Sequence, residues 1–286
     1  MFDKLGLRTE RMRKTTLGFS TDHSVLEELF DAHPIVPLLL EHRELVKLKS
    51  TYLDALPPLL NNKTGRLHTT YAQAAASTGR LASTQPNLQN IPIRSELGNK
   101  IRRAFEAEPG SVLVSADYSQ VELRVLAHLS GDTVLCRAFE NDLDVHAQTA
   151  AEVFDVPITQ VTSEQRRVAK AVNYGLGYGQ TDFGLARALD ITRADARRYI
   201  DRYFQRFSGV KDFMDRHLVA ARKAQMVYTI LGRRLAVPGI ASKNFGERAA
   251  AERLARNAPI QGSGADILKL AMLRVDERLT RAKSPA

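Results

Sequence analysis

Residues 111–131 read Ser-Val-Leu-Val-Ser-Ala-Asp-Tyr-Ser-Gln-Val-Glu-Leu-Arg-Val-Leu-Ala-His-Leu-Ser-Gly. After Pro109-Gly110 the apolar run Val112, Leu113, Val114 predicts a short buried strand. Ser119 and Glu122 have the Ser-x-x-Glu spacing of a capping box, and Val121, Val125 and Leu129 then recur every fourth residue up to Gly131, which predicts a helix. Asp117 is therefore expected at the carboxyl end of a strand, where a carboxylate and nearby backbone carbonyls hold a divalent cation at the edge of a cleft. A lone aspartate at such a junction also suits a plain Asx turn, and Glu122 also suits the acidic partner of a cap.

The 286 residues are enough for one or two ordinary domains with a real core. Lys and Arg number 41 against 32 Asp and Glu, a net charge of +9 that favours a polyanionic partner such as nucleic acid. Cys136 is the single cysteine, so no internal disulfide forms and a reducing, cytoplasmic setting is expected. No cationic segment followed by an apolar run opens the chain. The longest apolar stretches, such as residues 35–40, are too short to span a bilayer, so no membrane partner is expected.

Toward the N-terminus, residues 22–31 and about 37–60 predict helices with charged faces, the second closed by Pro57-Pro58 and Asn61-Asn62. Residues 64–105 alternate short β-type runs with polar turns, among them Thr78-Gly79-Arg80-Leu81 and Pro86-Asn87-Leu88-Gln89-Asn90. Arginine and glutamine donors in such irregular backbone suit the acceptors that every base pair shows in the minor groove, although the composition also fits a surface loop.

Toward the C-terminus the second informative stretch is residues 162–179. Thr162 with Gln165 predicts a capping box, and Arg166, Lys170, Tyr174 and Tyr178, spaced by four, share one helical stripe. Two cations and two aromatics in a row suit a nucleoside triphosphate, the cations on its phosphates, Tyr174 near sugar and base, and Tyr178 at a template base. A solvated basic face with two half-buried tyrosines is the plainer alternative. Gly175, Gly177 and Gly179 do not make a dinucleotide-binding loop, because such glycines follow a strand and open a helix, whereas these end one. They predict a bendable helix end instead. Residues 190–207 predict an amphipathic helix with a basic face of Arg193, Arg197, Arg198, Arg202 and Arg206, and Leu231-Gly232-Arg233-Arg234 a turn. A helix from Phe245 carries Arg253 and Asn257 one turn apart, is expected to break at residues 259–264, and resumes from Ala265 to about Arg281.

The run Asp-Tyr-Ser-Gln-Val-Glu-Leu-Arg at 117–124 resembles the first catalytic motif of family A DNA polymerases, and Arg-x-x-x-Lys-x-x-x-Tyr-Gly-x-x-Tyr-Gly from Arg166 resembles their fingers helix. Nearly the whole chain shares this resemblance. It implies an α+β, mainly helical fold with right-hand architecture: residues 1–62 a partial thumb, 63–120 the first part of the palm, 121–242 the fingers and 243–286 a truncated second part of the palm. It implies template-directed DNA synthesis from deoxynucleoside triphosphates on primer–template DNA, with two Mg²⁺ ions in the complete enzyme, by a monomer.

On the same resemblance Asp117 and the Tyr118 carbonyl are metal ligands, and Asp117, Arg166 and Lys170 are catalytic. Tyr118, Gln120, Glu122, His146, Arg166, Lys170 and Tyr174 bind the nucleotide, Glu122 as a gate against the ribose 2′-hydroxyl and His146 at the triphosphate. Arg80, Gln89, Tyr178, Arg253, Asn257 and Gln261 bind DNA. A lone histidine such as His146 is otherwise a structural hydrogen-bonder. Gly177 departs from the larger apolar residue usual at its position. The family's His-Asp-Glu hairpin, with its second metal-binding aspartate, has no counterpart in these residues, and Asp276-Glu277 reads as a solvated helical face rather than a substitute. The alternative function is a catalytically inactive primer–template-binding fragment; a nucleotide-binding oxidoreductase is a weaker third, disfavoured by the placement of the glycines.

Overall fold

The computed structural model describes residues 2–7, 14–16, 18–93 and 95–282. They fall into two compact units, one of Met1–Tyr71 with Ser83–Val114 and one of Ala72–Ala82 with Ser115–Ala286.

In the first unit α1 (Phe2–Leu5), the antiparallel pair β1 (Lys14–Thr15) and β2 (Gly18–Phe19), α2 (His23–Glu28) and α3 (Ile35–Leu48) enclose Phe2, Leu7, Val25, Leu26, Leu29 and Val36. The helix expected to run to about Leu60 is α-helical only to Leu48. It loosens into a π-turn at Lys49–Leu53 and a 3₁₀ turn at Pro57–Leu59, where the two prolines supply no N–H to continue the ladder. Within residues 64–105 the strands β3 (Thr70–Ala72) and β4 (Ala82–Thr84) are short, and a helix that the polar composition concealed, α4 (Glu96–Arg103), is opened by Ser95 Oγ accepting from Gly98 N at 3.2 Å.

The second unit is a helical body: α5 (Val121–Ser130), α6 (Thr133–Glu140), α7 (Val145–Phe154), α8 (Ser163–Gly177), α9 (Asp182–Leu189), α10 (Arg193–Arg206) and α11 (Ser208–Ala224), then the hairpin β5 (Met226–Tyr228) and β6 (Arg234–Ala236), then α12 (Phe245–Arg281). Its main core is built from Leu123 and Leu126 of α5, Leu135 of α6, Val145 of α7, Val172 and Leu176 of α8, Leu185 of α9, Tyr203 of α10 and Phe213 of α11. A second core sets Val227 and Leu235 of the hairpin against Ala251, Ala255 and Ala258 of α12. Among the described residues no helix is long and apolar enough to cross a membrane.

Asp132 joins two helix starts. Its Oδ1 accepts from Val134 N (3.1 Å) and Leu135 N (2.9 Å) of α6, and its Oδ2 from Gly209 N (3.0 Å) of α11. A buried carboxylate that receives three backbone N–H groups satisfies donors that a helix N-terminus otherwise leaves orphaned.

Three local expectations are corrected. Val112, Leu113 and Val114 form no strand; they are extended, irregular and 82%, 68% and 86% exposed. An isolated strand leaves its backbone groups unpaired, and among the described residues no strand is hydrogen-bonded to this segment. The Ser119 capping box does not form either: the N-cap of α5 is Gln120, with φ 53° and no side-chain cap bond. Finally, α12 runs unbroken through Pro259. The missing ladder bond there costs about 3 kcal/mol, but Ala255, Ala258, Pro259, Ile260 and Gly262 are all buried, and burial of that face outweighs the lost bond.

The basic face of α10 is present but neutralised. Arg193 pairs with Asp182, Arg197 with Asp201, Arg198 with Asp195, Arg202 with Asp155 and Arg206 with Glu152. Such exposed pairs contribute little stability each, yet they remove this face from the surplus of positive charge.

At the end of α8 the backbone N–H of Tyr178 donates to the carbonyls of Tyr174 (3.0 Å) and Gly175 (3.2 Å), and that of Gly179 to the carbonyl of Leu176 (2.9 Å). Gly177 is buried, yet a Cβ added there would meet nothing within 4 Å. Gly177→Ala is therefore expected to stabilise the fold by about 0.5–1 kcal/mol through lost unfolded-state entropy. A rise in the thermal midpoint checks it; a fall would mean the helix end needs its freedom.

Candidate functional site

The capping box predicted for α8 is formed: Thr162 Oγ1 accepts from Gln165 N (3.2 Å) while Gln165 Oε1 accepts from Thr162 N (2.9 Å). That fixes the start of the helix, and with it the stripe of Arg166, Lys170 and Tyr174, with Tyr178 as the C-cap. Arg166 and Lys170 are exposed, and α7 packs closely against α8.

Asp144, the N-cap of α7, connects the two helices. Its Oδ1 accepts from His146 N (3.0 Å) and Ala147 N (3.1 Å), and its Oδ2 from Arg166 Nε (2.6 Å). Burial pushes the Asp144 carboxyl up, but the Arg166 bond and the two backbone N–H groups outweigh it and hold the group below its ordinary value. Arg166 is thus anchored through Nε, with its terminal nitrogens turned to no partner among the described residues. Lys170 has no partner among them either.

His146 is 2% exposed, so a solvent-facing contact is not its only role. Its Nδ1 lies 3.0 Å from Asn173 Nδ2, and Asn173 Oδ1 accepts from Thr149 Oγ1 at 3.0 Å. Burial, then the nearby Arg166 charge, lowers its pKa against the pull of Asp144, and Lys170 adds to the lowering. The ring stands 5.7 Å from that of Tyr174, which stands 6.4 Å from that of Tyr178.

Glu122 is 9% exposed and held from both sides, one oxygen by Arg80 Nη2 and the other by the Tyr178 hydroxyl. The first helical turn of α5 supplies Glu122, and the irregular segment after a turn closed by Gly79 N on Ala76 O (2.8 Å) supplies Arg80. Burial, and then the bond to Glu122, push the Tyr178 phenol up to about 12. Tyr174 is raised too, by burial and then by the charges of Glu122 and Asp117. The neutral Tyr178 is favoured by the fold, so its contribution to stability is present below the ordinary phenol value and lost as pH rises through the shifted one. A difference titration of tyrosinate absorbance against Tyr178→Phe should be half complete near pH 12 rather than near 10; an ordinary midpoint would show that the bond to Glu122 does not persist in solution.

Asp117 is exposed and makes no hydrogen bond or ion pair among the described residues, and Tyr118 is half exposed. Among the described residues no three His, Cys, Asp or Glu side chains gather as a ready-made metal cage. A single free carboxylate with the adjacent carbonyl is a donor set that suits Mg²⁺, which keeps waters and phosphate oxygens as its remaining ligands.

On α12, Arg253, Asn257 and Gln261 follow one another at four-residue spacing, and the Arg253 backbone passes 3.5 Å from the Cβ that Gly179, at φ +71°, does not carry. Arg253 is exposed, while Asn257 Oδ1 is buried and has no partner among the described residues. Arg233, on the hairpin, braces the turn that holds Arg80: Nε bonds Asp266 Oδ1 (2.7 Å), and Nη2 bonds the carbonyls of Thr78 (2.9 Å) and Gly262 (3.1 Å). A Cβ on Gly79, at φ +81°, would lie 2.6 Å from Arg233 Nη1.

The second unit thus holds Arg80, Glu122, His146, Arg166, Lys170, Tyr174, Tyr178 and Asp117, with Arg253 beside Gly179. Gln120 contributes its left-handed backbone at the start of α5. Gln89 lies in the first unit, where its Oε1 accepts from Ser83 N at 3.0 Å. Sequence reasoning gave no role to Asp144, Asn173, Thr149 and Arg233. The Asp-x-His spacing of a cap was a usable signal for Asp144; the others act across distances in sequence that no local pattern marks.

Two exposed cations and two aromatics thus follow one another along α8 of a mostly helical unit that also holds the Glu122 carboxylate. The DNA polymerase family A model matches residues 1–286, and the chain belongs to that family. It is 52% identical over 281 residues to the DNA polymerase I of Pseudomonas aeruginosa, a match covering 98% of this chain and 31% of the relative. It is 50% identical over 279 residues to that of Caldicellulosiruptor bescii, covering 98% of this chain and 33% of the relative. The chain therefore spans about a third of the length of these curated relatives. Among solved structures, the POL domain of Pol1 from M. smegmatis, in complex with DNA primer-template and dNTP, aligns with a TM-score of 0.89 at 45% identity, covering 99% of this chain and 50% of that one.

Proposed function

We propose that this chain carries the nucleotide-binding and part of the primer–template-binding surface of a DNA polymerase, adding deoxynucleoside triphosphates to a primer 3′ end as a monomer. The single observation that carries this reading is the stripe on α8. Arg166, oriented through Nε by Asp144, offers its terminal nitrogens to phosphate, and Lys170 adds a point charge one turn on. Tyr174, next along the stripe, is then the surface on which a sugar and base would rest, and the charges of Glu122 and Asp117 act on its phenol.

In this reading Arg166 and Lys170 bind and orient the triphosphate and stabilise charge on the leaving phosphates. Glu122, already engaged by Arg80 and Tyr178, fills the space beside the sugar and leaves no vacancy for a 2′-hydroxyl. Mg²⁺, when bound, supplies Lewis-acid activation of the attacking and leaving oxygens, and Asp117 with the Tyr118 carbonyl would hold it. Arg80, Gln89, Tyr178, Arg253, Asn257 and Gln261 are proposed to face the duplex. Residues 1–62, 63–120, 121–242 and 243–286 are proposed as partial thumb, first palm segment, fingers and second palm segment.

The test is paired titration of a deoxynucleoside triphosphate and of a primer–template duplex. Arg166→Ala and Lys170→Ala are each expected to weaken nucleotide binding about tenfold or more, the worth of one hydrogen bond to a charged group, and duplex binding far less. Equal loss of both, or of neither, would overturn the assignment.

A further inference from the structure

Beneath the stripe lies a polar chain that the phosphate-binding role does not by itself require. Thr149 and Asn173 are both fully buried, and His146 nearly so. Thr149, on α7, donates from Oγ1 to Asn173 Oδ1 at 3.0 Å and lies 2.9 Å from Val145 O. Asn173, on α8, presents Nδ2 to His146 Nδ1 at 3.0 Å. A buried asparagine amide is costly unless it is satisfied, and here both of its ends are engaged, one by Thr149 and one by His146.

The chemistry of the partners decides what. An amide NH₂ only donates, so the ring nitrogen it faces must be a lone pair, and the proton of a neutral imidazole then sits on Nε2. The Thr149 hydroxyl has one proton for two acceptors within reach, the Val145 carbonyl and Asn173 Oδ1; given to Oδ1, it leaves Nδ2 for His146. The charged and titratable groups around the imidazole are Asp144 on its own helix and Arg166, Lys170 and Tyr174 on α8. The two cations and burial keep the ring neutral. No described residue takes Nε2.

We infer that Asn173, held by Thr149, is a positioning residue that fixes His146 as the Nε2–H tautomer, so that a neutral histidine donates a hydrogen bond to an anionic phosphate oxygen between Arg166 and Lys170. This rests on the reading of the α8 stripe as a triphosphate site. It goes beyond it in assigning function to two residues that would touch no substrate. A neutral donor has a use here. It adds a directed bond without a third cation, and its strength does not vary across the range where an ordinary histidine titrates.

The tautomer can be read directly by long-range ¹H–¹⁵N correlation on histidine-labelled chain, with His146 assigned by its loss in His146→Ala. The unaltered chain should show a neutral Nε2–H ring at pH 7, and Thr149→Val a mixture of tautomers as the amide is freed to turn over, with Thr149→Ser restoring the single form. Asn173→Asp reverses the polarity: a carboxylate only accepts, so Nδ1 becomes protonated and the ring pKa rises. Its affinity for inorganic tripolyphosphate, taken as a ratio to the unaltered chain at each pH, should be about tenfold lower at pH 8 and recover as falling pH makes the ring an imidazolium with both nitrogens donating. A loss due only to disturbed packing would not recover with pH.

An Nδ1–H or protonated ring in the unaltered chain at pH 7 would overturn the inference and leave the stripe untouched. Unchanged tripolyphosphate affinity in His146→Ala, with Arg166→Ala still weak, would remove the histidine from the phosphate site and the positioning role with it. Loss of effect in all three variants would instead take down the triphosphate reading itself.

Discussion

Replacing Asp117 with alanine is expected to lower single-turnover nucleotide incorporation, by a polymerase that carries this chain, at least about 10²–10³-fold, as removal of one preorganised electrostatic contact does elsewhere. The carboxylate is exposed and free of internal partners, so the fold does not need it, and the thermal midpoint and duplex affinity should stay within error of the unaltered chain. That combination separates a group kept for chemistry from one kept for structure. Incorporation that survives the substitution, or a fall in stability that accompanies the loss, would remove Asp117 from its assigned place.

The largest effect on stability is expected at Asp132, which the proposed chemistry does not use. Asp132→Ala strips the cap from α6 and leaves the N–H of Gly209 without its acceptor. A lost cap costs about 1 kcal/mol and a buried unsatisfied donor about 1–3, so the sum is about 2–4 kcal/mol. Asp132→Asn should recover part of this, since one amide oxygen still caps α6 but the NH₂ group cannot accept from Gly209. Chemical denaturation of the three forms measures it. Equal stability of the alanine and asparagine forms would mean that the bridge to α11 contributes nothing.

What was legible in the sequence was legible because it is local. The cap at Thr162, the α8 stripe and the α10 face each follow from spacing within a few turns, and each is where the pattern puts it. Expectations failed where a partner lies far off in sequence. Residues 112–114 have the composition of a strand, but a strand needs a neighbour to bond. Ser119 and Glu122 have the spacing of a cap, but Glu122 is drawn to Arg80 and Tyr178 instead. Pro259 signals a break, yet burial along α12 overrides it. The positive face of α10 is countered by acids on its own helix and on α7 and α9, which a net charge of +9 does not reveal.

The brace at Arg233 ties together the tolerances of two positions that a reader of the sequence would treat as unrelated. The guanidinium lies where a side chain on Gly79 would begin, and Gly79 stands at a φ that only glycine adopts without strain. Any larger residue at 79 must therefore expel the arginine, and with it the bond to the Thr78 carbonyl, while Asp266 is left with an unmatched charge. The reverse is not symmetrical: shortening Arg233 opens room beside Gly79 but does nothing to relieve its backbone. Position 79 therefore stays reserved for glycine whichever of the two changes first, while position 233 answers only for the bonds it makes.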